Sequence, residues 1–263
     1  DWELVVVHDD DGIGLEWLNV LRDARIRVLS NQFAAGRGGA RQTALAASRG
    51  RYLAFLDADD WMYPRRLEHQ SGLLDEDDSL ALVSAGMTVV DDDERPVGAR
   101  KAMNATRIGD SEMLDSPVLN ASSMIRGPSA RRMRYDTALE SGEDCEFLAR
   151  YLRGRRYRQE AAPLYCYREF ASFSVAGLRS GLAAERRRHL RQAREQAGWL
   201  RMLRRAAVWG FKRAVYELLL KVGGRGLVLR RRCRALTVSE LRTHQAAERD
   251  VRAMLNSIPG PTA

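Results

Sequence analysis

Short apolar runs alternate with polar breaks along the first two thirds of the chain. Glu3-Leu4-Val5-Val6-Val7 is a β-branched run that ends in His8-Asp9-Asp10-Asp11-Gly12. An unbroken apolar run of this length suits a strand covered on both faces, as in a parallel sheet. Arg25-Ile26-Arg27-Val28-Leu29 reads as a second strand, and the glycine-rich stretch from Gly36 to Gly39 leads into an alanine-rich helix predicted over Ala40 to Ser48. Tyr52-Leu53-Ala54-Phe55-Leu56 is a third strand, closed by Asp57-Ala58-Asp59-Asp60. The pattern then predicts a helix from Pro64 to about Leu74, strands near Leu80 to Ala85 and Met87 to Val90, a helix from Ser141 through Tyr151, and a late strand at Tyr165-Cys166-Tyr167-Arg168. The polar, turn-rich middle, from Asp91 to about Asn120, yields little.

Strands that alternate with helices and end in polar residues specify an α/β fold, in which ligands bind beyond the carboxyl ends of the strands. The acidic clusters stand at those ends. After about Ser174 the turn residues thin out, and arginine, leucine and alanine dominate to about residue 255. Leu200, Leu203, Ala207, Phe211, Ala214, Leu218 and Val222 step by three and four, which predicts a helix with one apolar face. Arg201, Arg204, Arg205, Lys212 and Lys221 lie off that face. The expected division is a catalytic α/β unit over 1–175 and a basic, mainly helical extension over 176–263.

Composition narrows the class. With 263 residues, 45% hydrophobic and 30% charged, the chain can bury a core and is not a disordered polymer. The net charge of +8 is carried mainly by arginine, Lys101, Lys212 and Lys221 being the only lysines, so guanidinium forks suited to phosphate or carboxylate dominate. Cys145, Cys166 and Cys233 are far apart and form no metal or disulfide spacing, which fits a reducing cytoplasm. No apolar run is long enough to span a bilayer and no signal peptide opens the chain, whose abrupt start at Asp1-Trp2-Glu3 reads as that of a fragment.

Four groups of residues could carry chemistry. Asp57 and Asp59, one residue apart at a strand end, can point into one crevice, and their hard oxygens suit Mg²⁺ or Mn²⁺ beside a diphosphate. Equally, Asp59 or Asp60 could cap the helix that follows. Glu143-Asp144 could reach a bound hydroxyl, with one carboxylate as general base; Ser141-x-x-Asp144 also has the spacing of a capping box. Arg41, behind the glycine-rich turn, could meet phosphate or could be surface solvation. His8-Asp9-Asp10-Asp11 could bind a base or ribose, or be a polar turn. No dinucleotide fingerprint and no phosphate-loop lysine is present. His69, His189 and His244 read as surface groups.

Taken in order, these segments resemble family 2 of the GT-A glycosyltransferases over roughly residues 1 to 175. Glu3 to Asp11 looks like that family's E-[IL]-[IV]-V-V-D-D-G-S, with His8 and Asp9 in place of its two aspartates, and Ala40-Arg41-Gln42-Thr43-Ala44 is similar to its A-R-N-x-G. Gly50 to Asp60, then Pro64 and Leu67-Glu68, follows the G-x-Y-[IL]-x-F-L-D-A-D-D-x-x-x-P-x-x-L-E signature almost letter for letter. Tyr135-Asp136 with Gly142-Glu143-Asp144 resembles the acceptor-side F-D…E-D segment, and Pro163 to Arg168 with Ser172 resembles P-L-x-x-Y-R-x-H-x-x-S.

The resemblance implies a GT-A fold: a Rossmann-like, mostly parallel sheet with flanking helices. It implies that Asp9 and Arg41 contact the nucleotide, Asp57 the ribose or metal, and Asp59 a divalent Mn²⁺ or Mg²⁺. Asp144 would deprotonate the acceptor hydroxyl, with inversion at the anomeric carbon, and Glu143 and Arg168 would stand on the acceptor side. The implied partners are a nucleotide-diphosphate sugar, a UDP-sugar foremost, and a glycan or lipid-linked acceptor.

Two departures stand out. Phe170 replaces a frequent histidine, and the family's opening strand, P-x-x-S-V-[IV]-[IV]-P-x-Y-N, is missing, so weak or no activity is expected of this chain by itself. Three other readings compete: nucleotidyl transfer, a non-catalytic nucleotide- or glycan-binding relative, and nucleic-acid binding by the arginine-rich tail. The first lacks its glycine-rich basic loop, and the last lacks stacking aromatics, so no nucleic-acid partner is expected. The tail is expected to pack on the catalytic unit or a partner, or to lie on anionic lipid at the inner face of the plasma membrane, with Trp199, Trp209 and Phe211 among its arginines.

Overall fold

The computed structural model describes residues 1–9, 23–100, 103–168 apart from 112, 114 and 140, scattered positions between 175 and 222, and 232–258. The elements run β1 (Leu4–His8), β2 (Ile26–Ser30), α1 (Arg37–Ala47), β3 (Tyr52–Ala54), β4 (Trp61–Met62), α2 (Arg66–Glu76), β5 (Leu80–Val90), β6 (Pro96–Arg100) and β7 (Ala105–Ile108). They continue as β8 (Ser123–Arg126), α3 (Gly127–Ala130), α4 (Glu143–Leu152), β9 (Arg156–Tyr167) and α5 (Val238–Ser257).

Two sheets form among the described residues. β1 and β2 pair in parallel, with Leu4 opposite Ile26 and His8 opposite Ser30. The second sheet follows the order β3-β8-β5-β9-β4, with β6 on β5 and β7 on β9. Because β8 is antiparallel to both β3 and β5, and β5 is parallel to β9, the strands β3, β5 and β9 all run in one direction. The start of β8 therefore lies beside the carboxyl end of β3, where the Asp57–Asp60 turn begins.

The apolar runs on either side of Gly86 are one strand, not two: β5 is eleven residues long and buried at every position. Its faces are covered by two layers. Leu82 and Ile125 pack with Phe147, Leu148 and Tyr151 of α4, while Leu80, Val83 and Met124 pack with Leu74 of α2. The middle segment holds β6 and β7, which the sequence pattern did not disclose, and β9 begins nine residues before the predicted late strand.

The C-terminal helix α5 belongs to this core. Thr237 and Glu240 form a reciprocal capping box at its start. Residues just before it bridge to β6, Ala99 N–H donating to Arg234 O at 2.8 Å and Arg234 N–H to Ala99 O at 3.0 Å. His244, expected on the surface, is 1% exposed: its Nδ1 lies 2.8 Å from the Tyr63 hydroxyl, which in turn lies 2.9 Å from Thr88 Oγ1. The sequence missed this because the partners of His244 lie some 180 positions away, and helical periodicity reports nothing about them. The apolar stripe further up behaves in the opposite way. Phe211, Leu218 and Val222 are all exposed, at 74%, 60% and 76%. Leu200, Leu203, Trp199, Trp209 and His189 lie outside the described residues.

Candidate active site

The site is built at the carboxyl ends of the strands. Asp9, at the end of β1, accepts hydrogen bonds from Asn31 Nδ2 at 2.5 Å and from Gly36 N–H. These bonds, the Asn31 one foremost, hold its carboxyl below the usual range. Gly36 sits at φ 105°, a backbone conformation open to glycine, and a side chain at Gly39 would strike Ala34 O at 1.8 Å. The glycine-rich stretch thus lets the chain fold tightly enough to bring the start of α1 back to β1. Asp10 and Asp11 lie outside the described residues.

Arg41, one turn into α1, gathers three acids from distant parts of the sequence. Its NH2 is 3.3 Å from Asp57 Oδ1, while its NH1 meets Glu143 Oε1 and lies 4.0 Å from Asp144 Oδ2. Arg37, one turn earlier, stands 3.8 Å from the same Glu143 oxygen. Burial works against the Arg41 charge, but the carboxylates of Asp144, Glu143 and Asp57 outweigh it and raise its pKa. It is no surface arginine.

The capping readings of the acids are not what the structure contains. α4 starts from Gly142 in the left-handed region, with no side-chain cap; Ser141 is not its N-cap. Asp144 accepts from Cys145 N–H at 2.8 Å and keeps 34% of its side chain exposed. Glu143 is its opposite, 1% exposed, with Oε2 lacking a hydrogen-bond partner. At the other end, α2 begins after Arg65 without a side-chain cap, so neither Asp59 nor Asp60 serves it.

Asp60 is used differently. Its Oδ2 accepts from the Tyr165 hydroxyl at 2.8 Å and its Oδ1 from Arg168 N–H at 2.8 Å. Tyr165 Oη also accepts from Asp57 N–H at 3.1 Å, so one tyrosine grips both ends of the Asp57–Asp60 turn. Burial pushes the Asp60 carboxyl up to about 6, against the Arg168 and Tyr165 hydrogen bonds and with the Asp59 and Asp57 charges adding to it. Asp59 itself is exposed.

Of the residues singled out from the sequence, Arg41, Asp57, Glu143 and Asp144 come together around one guanidinium. Asp9 lies at the start of the same helix through Gly36. Arg168 does not join them: its backbone holds Asp60, and its guanidinium meets Glu94, which also binds Arg252 of α5 at 2.9 Å. Phe170 and Ser172 lie outside the described residues. Tyr165 was not foreseen as a site component. Tyr165 stood inside a quoted strand motif, but only the sheet register aims its hydroxyl at Asp57.

Known proteins resemble this chain in sequence and fold. The sequence model of the family described as Glycosyl transferase family 2 matches residues 1–137. The chain belongs to that family. It is 42% identical over 76 residues to the Escherichia coli UDP-Glc:alpha-D-GlcNAc-diphosphoundecaprenol beta-1,3-glucosyltransferase WfgD, covering 28% of this chain and 30% of that protein. It is 31% identical over 180 residues to the Rhizobium meliloti succinoglycan biosynthesis protein ExoO, covering 63% of this chain and 51% of that one. The chain therefore spans about a third to a half of these relatives. Among solved structures, residues 1–349 of S. aureus TarS in complex with UDP-GlcNAc superpose over 98% of this chain and 72% of that chain, with TM-score 0.56 and 17% identity. That likeness identifies the GT-A fold. Among the described residues no group of three or more His, Cys, Asp or Glu side chains could hold a metal ion by itself, and no helix is long and apolar enough to cross a membrane.

Proposed function

We propose that the family 2 unit transfers a hexosyl group from a UDP-sugar to a hydroxyl of a lipid-linked glycan acceptor, with inversion. The observation that carries this reading is the Arg41 cluster. One guanidinium joins Asp57, which follows β3 on the donor side, to Asp144 at the start of α4 on the acceptor side, so the two carboxylates flank one cation. Membership of a glycosyltransferase family supports the reaction class. The WfgD relative, named for transfer from UDP-Glc to a diphosphoundecaprenol-linked GlcNAc, supports the donor and acceptor class.

In this reading Asp144 accepts the proton of the acceptor hydroxyl while that oxygen attacks the anomeric carbon, and the bond to the diphosphate breaks on the opposite face. Asp9 and Arg41 lie beside the nucleotide. Glu143, buried behind Arg41, keeps the guanidinium in place. Asp57 and Asp59 supply hard oxygens one residue apart, with no third protein ligand among the described residues, an arrangement suited to an Mn²⁺ or Mg²⁺ shared with a diphosphate. When bound, such a cation would offset the charge that develops on the leaving diphosphate.

The test is Asp144→Asn in the full-length protein, assayed with UDP-sugars and a polyprenyl-diphosphate-linked sugar. Turnover should fall by about 10² to 10⁴ with donor affinity kept. Unchanged turnover would remove Asp144 from the role of base. If the parent binds UDP-sugar but transfers nothing, and neither Asp144→Asn nor Asp59→Asn alters that binding, the non-catalytic binding reading takes its place.

The exposed Phe211, Leu218 and Val222, with Arg213 and Lys221 exposed beside them, support a second, separate part of the proposal: contact with anionic lipid. Co-sedimentation with vesicles that ignores their anionic content would exclude it.

A further inference from the structure

We propose that Arg66 is a positioning residue for the Asp57–Asp60 turn, acting through the Tyr165 ring and the Phe55 carbonyl; its functional consequence rests on the glycosyl-transfer reading.

Arg66 is placed where a residue chosen for stability alone would not be charged. It is the first residue of α2, where the helix dipole disfavours a cation, and it is wholly buried. None of its hydrogen-bond partners is a carboxylate. Nε donates to Gln70 Oε1 at 2.9 Å, NH1 to Phe55 O at 2.9 Å and NH2 to Ser123 O at 3.2 Å. Burial drives its pKa down to about 10, with Tyr165 and Asp57 opposing. A buried charge with no carboxylate partner is costly unless hydrogen bonds offset its lost hydration, so what those bonds hold in place bears on why the guanidinium is kept.

The β3–β8 ladder ends at Ala54 opposite Met124, and the next contact, Phe55 N–H to Ser123 O, is stretched to 3.4 Å. Arg66 binds the carbonyls of those same two residues, closing the seam where the chain leaves the sheet for Asp57. Its guanidinium carbon stands 5.0 Å from the centroid of the Tyr165 ring, within cation–π range. The hydroxyl of that ring holds Asp57 N–H and Asp60 Oδ2. Gln70 anchors the assembly, its Nε2 donating to Val83 O at 3.0 Å and Ser122 O at 2.9 Å. The guanidinium therefore touches the strand end before the turn and the ring that grips both ends of the turn.

Hydrogen exchange and UDP titration with Mn²⁺ on Arg66→Met, Arg66→Lys and Tyr165→Phe test this. Arg66→Met should melt below the parent, since Phe55 O, Ser123 O and Gln70 Oε1 lose this donor, yet leave α2 and β5 amides protected while amides 57 to 60 exchange about tenfold faster or more. UDP affinity in Mn²⁺ should weaken by about tenfold or more. Tyr165→Phe should reproduce both effects with Arg66 intact, and Arg66→Lys should recover part of them. The proposal is overturned if Arg66→Met speeds α2 and the turn together while Tyr165→Phe leaves the turn unchanged, for then Arg66 only staples the helix. If Arg66→Met does not fold, an unaltered turn in both Arg66→Lys and Tyr165→Phe overturns it. Absence of UDP binding by the full-length parent, with the exchange pattern as expected, would count against the glycosyl-transfer reading and leave the positioning role standing.

Discussion

β1 and β5 begin as nearly the same kind of sequence and end in different environments. Leu4-Val5-Val6-Val7 and Leu80-Ala81-Leu82-Val83 are both unbroken apolar runs. β5 has β8 on one side and β9 on the other, helices α2 and α4 over its two faces, and no exposed position. Among the described residues β1 pairs with β2 alone, and its positions are half-buried or exposed. What ties β1 down is polar. Glu3 accepts from Arg49 N–H at 2.6 Å, Gly50 N–H at 3.2 Å and Arg27 NH1 at 3.1 Å, and Asp9 holds the start of α1. An apolar run thus states that a strand wants cover, while its neighbours decide how much it receives.

Leu82→Ala, in the middle of β5, should destabilise the chain by about 2–5 kcal/mol in urea denaturation, because the cavity it leaves lies between two packed layers. Val6→Ala should lower stability by only about 1 kcal/mol, since a half-covered valine loses less area to water. Equal losses would mean that β1 is as fully packed as β5. Glu3→Ala should also lose about 1 kcal/mol, but through hydrogen bonds, and its effect should appear as faster amide exchange at Arg49 and Gly50.

The smallest effect concerns the docked helix. Burial lowers the pKa of His244 from 6.5, with Glu248 opposing. Below pH 6.5 the unfolded chain takes up a proton that the folded one resists, so this contribution is present above 6.5 and fades as pH falls below it. Amides of α5 should exchange faster at about pH 5.5 than at about pH 7.5, after correction for intrinsic rates, and His244→Gln should flatten the difference. Phe211, Leu218 and Val222 offer no such handle: they are exposed and lose little on substitution unless a lipid or partner surface covers them.

Much of the site was legible in the sequence because its signals are local. The Gly50–Asp60 segment carries strand, turn and paired carboxylates in eleven consecutive letters, and Glu143-Asp144 and Arg41 stand in short ordered motifs. The capping explanations for the same acids were equally local, and only the backbone at Gly142 and Arg65 decided against them. Arg66 and His244 show the limit. An arginine two residues after a proline, and a histidine in a polar helix, look solvated from the sequence, yet both are buried because their partners come from strands far along the chain.

The sequence by itself determined the α/β alternation, the acidic strand ends and the family, since each is written in residues close enough to constrain one another through backbone geometry. Tertiary structure alone decided that one guanidinium would hold Asp57, Glu143 and Asp144 together, that Tyr165 would grip the turn, and that α5 rather than the 207–222 stripe would be packed against the sheet. Those outcomes depend on register and on which surfaces meet, and periodicity along the chain carries no record of either.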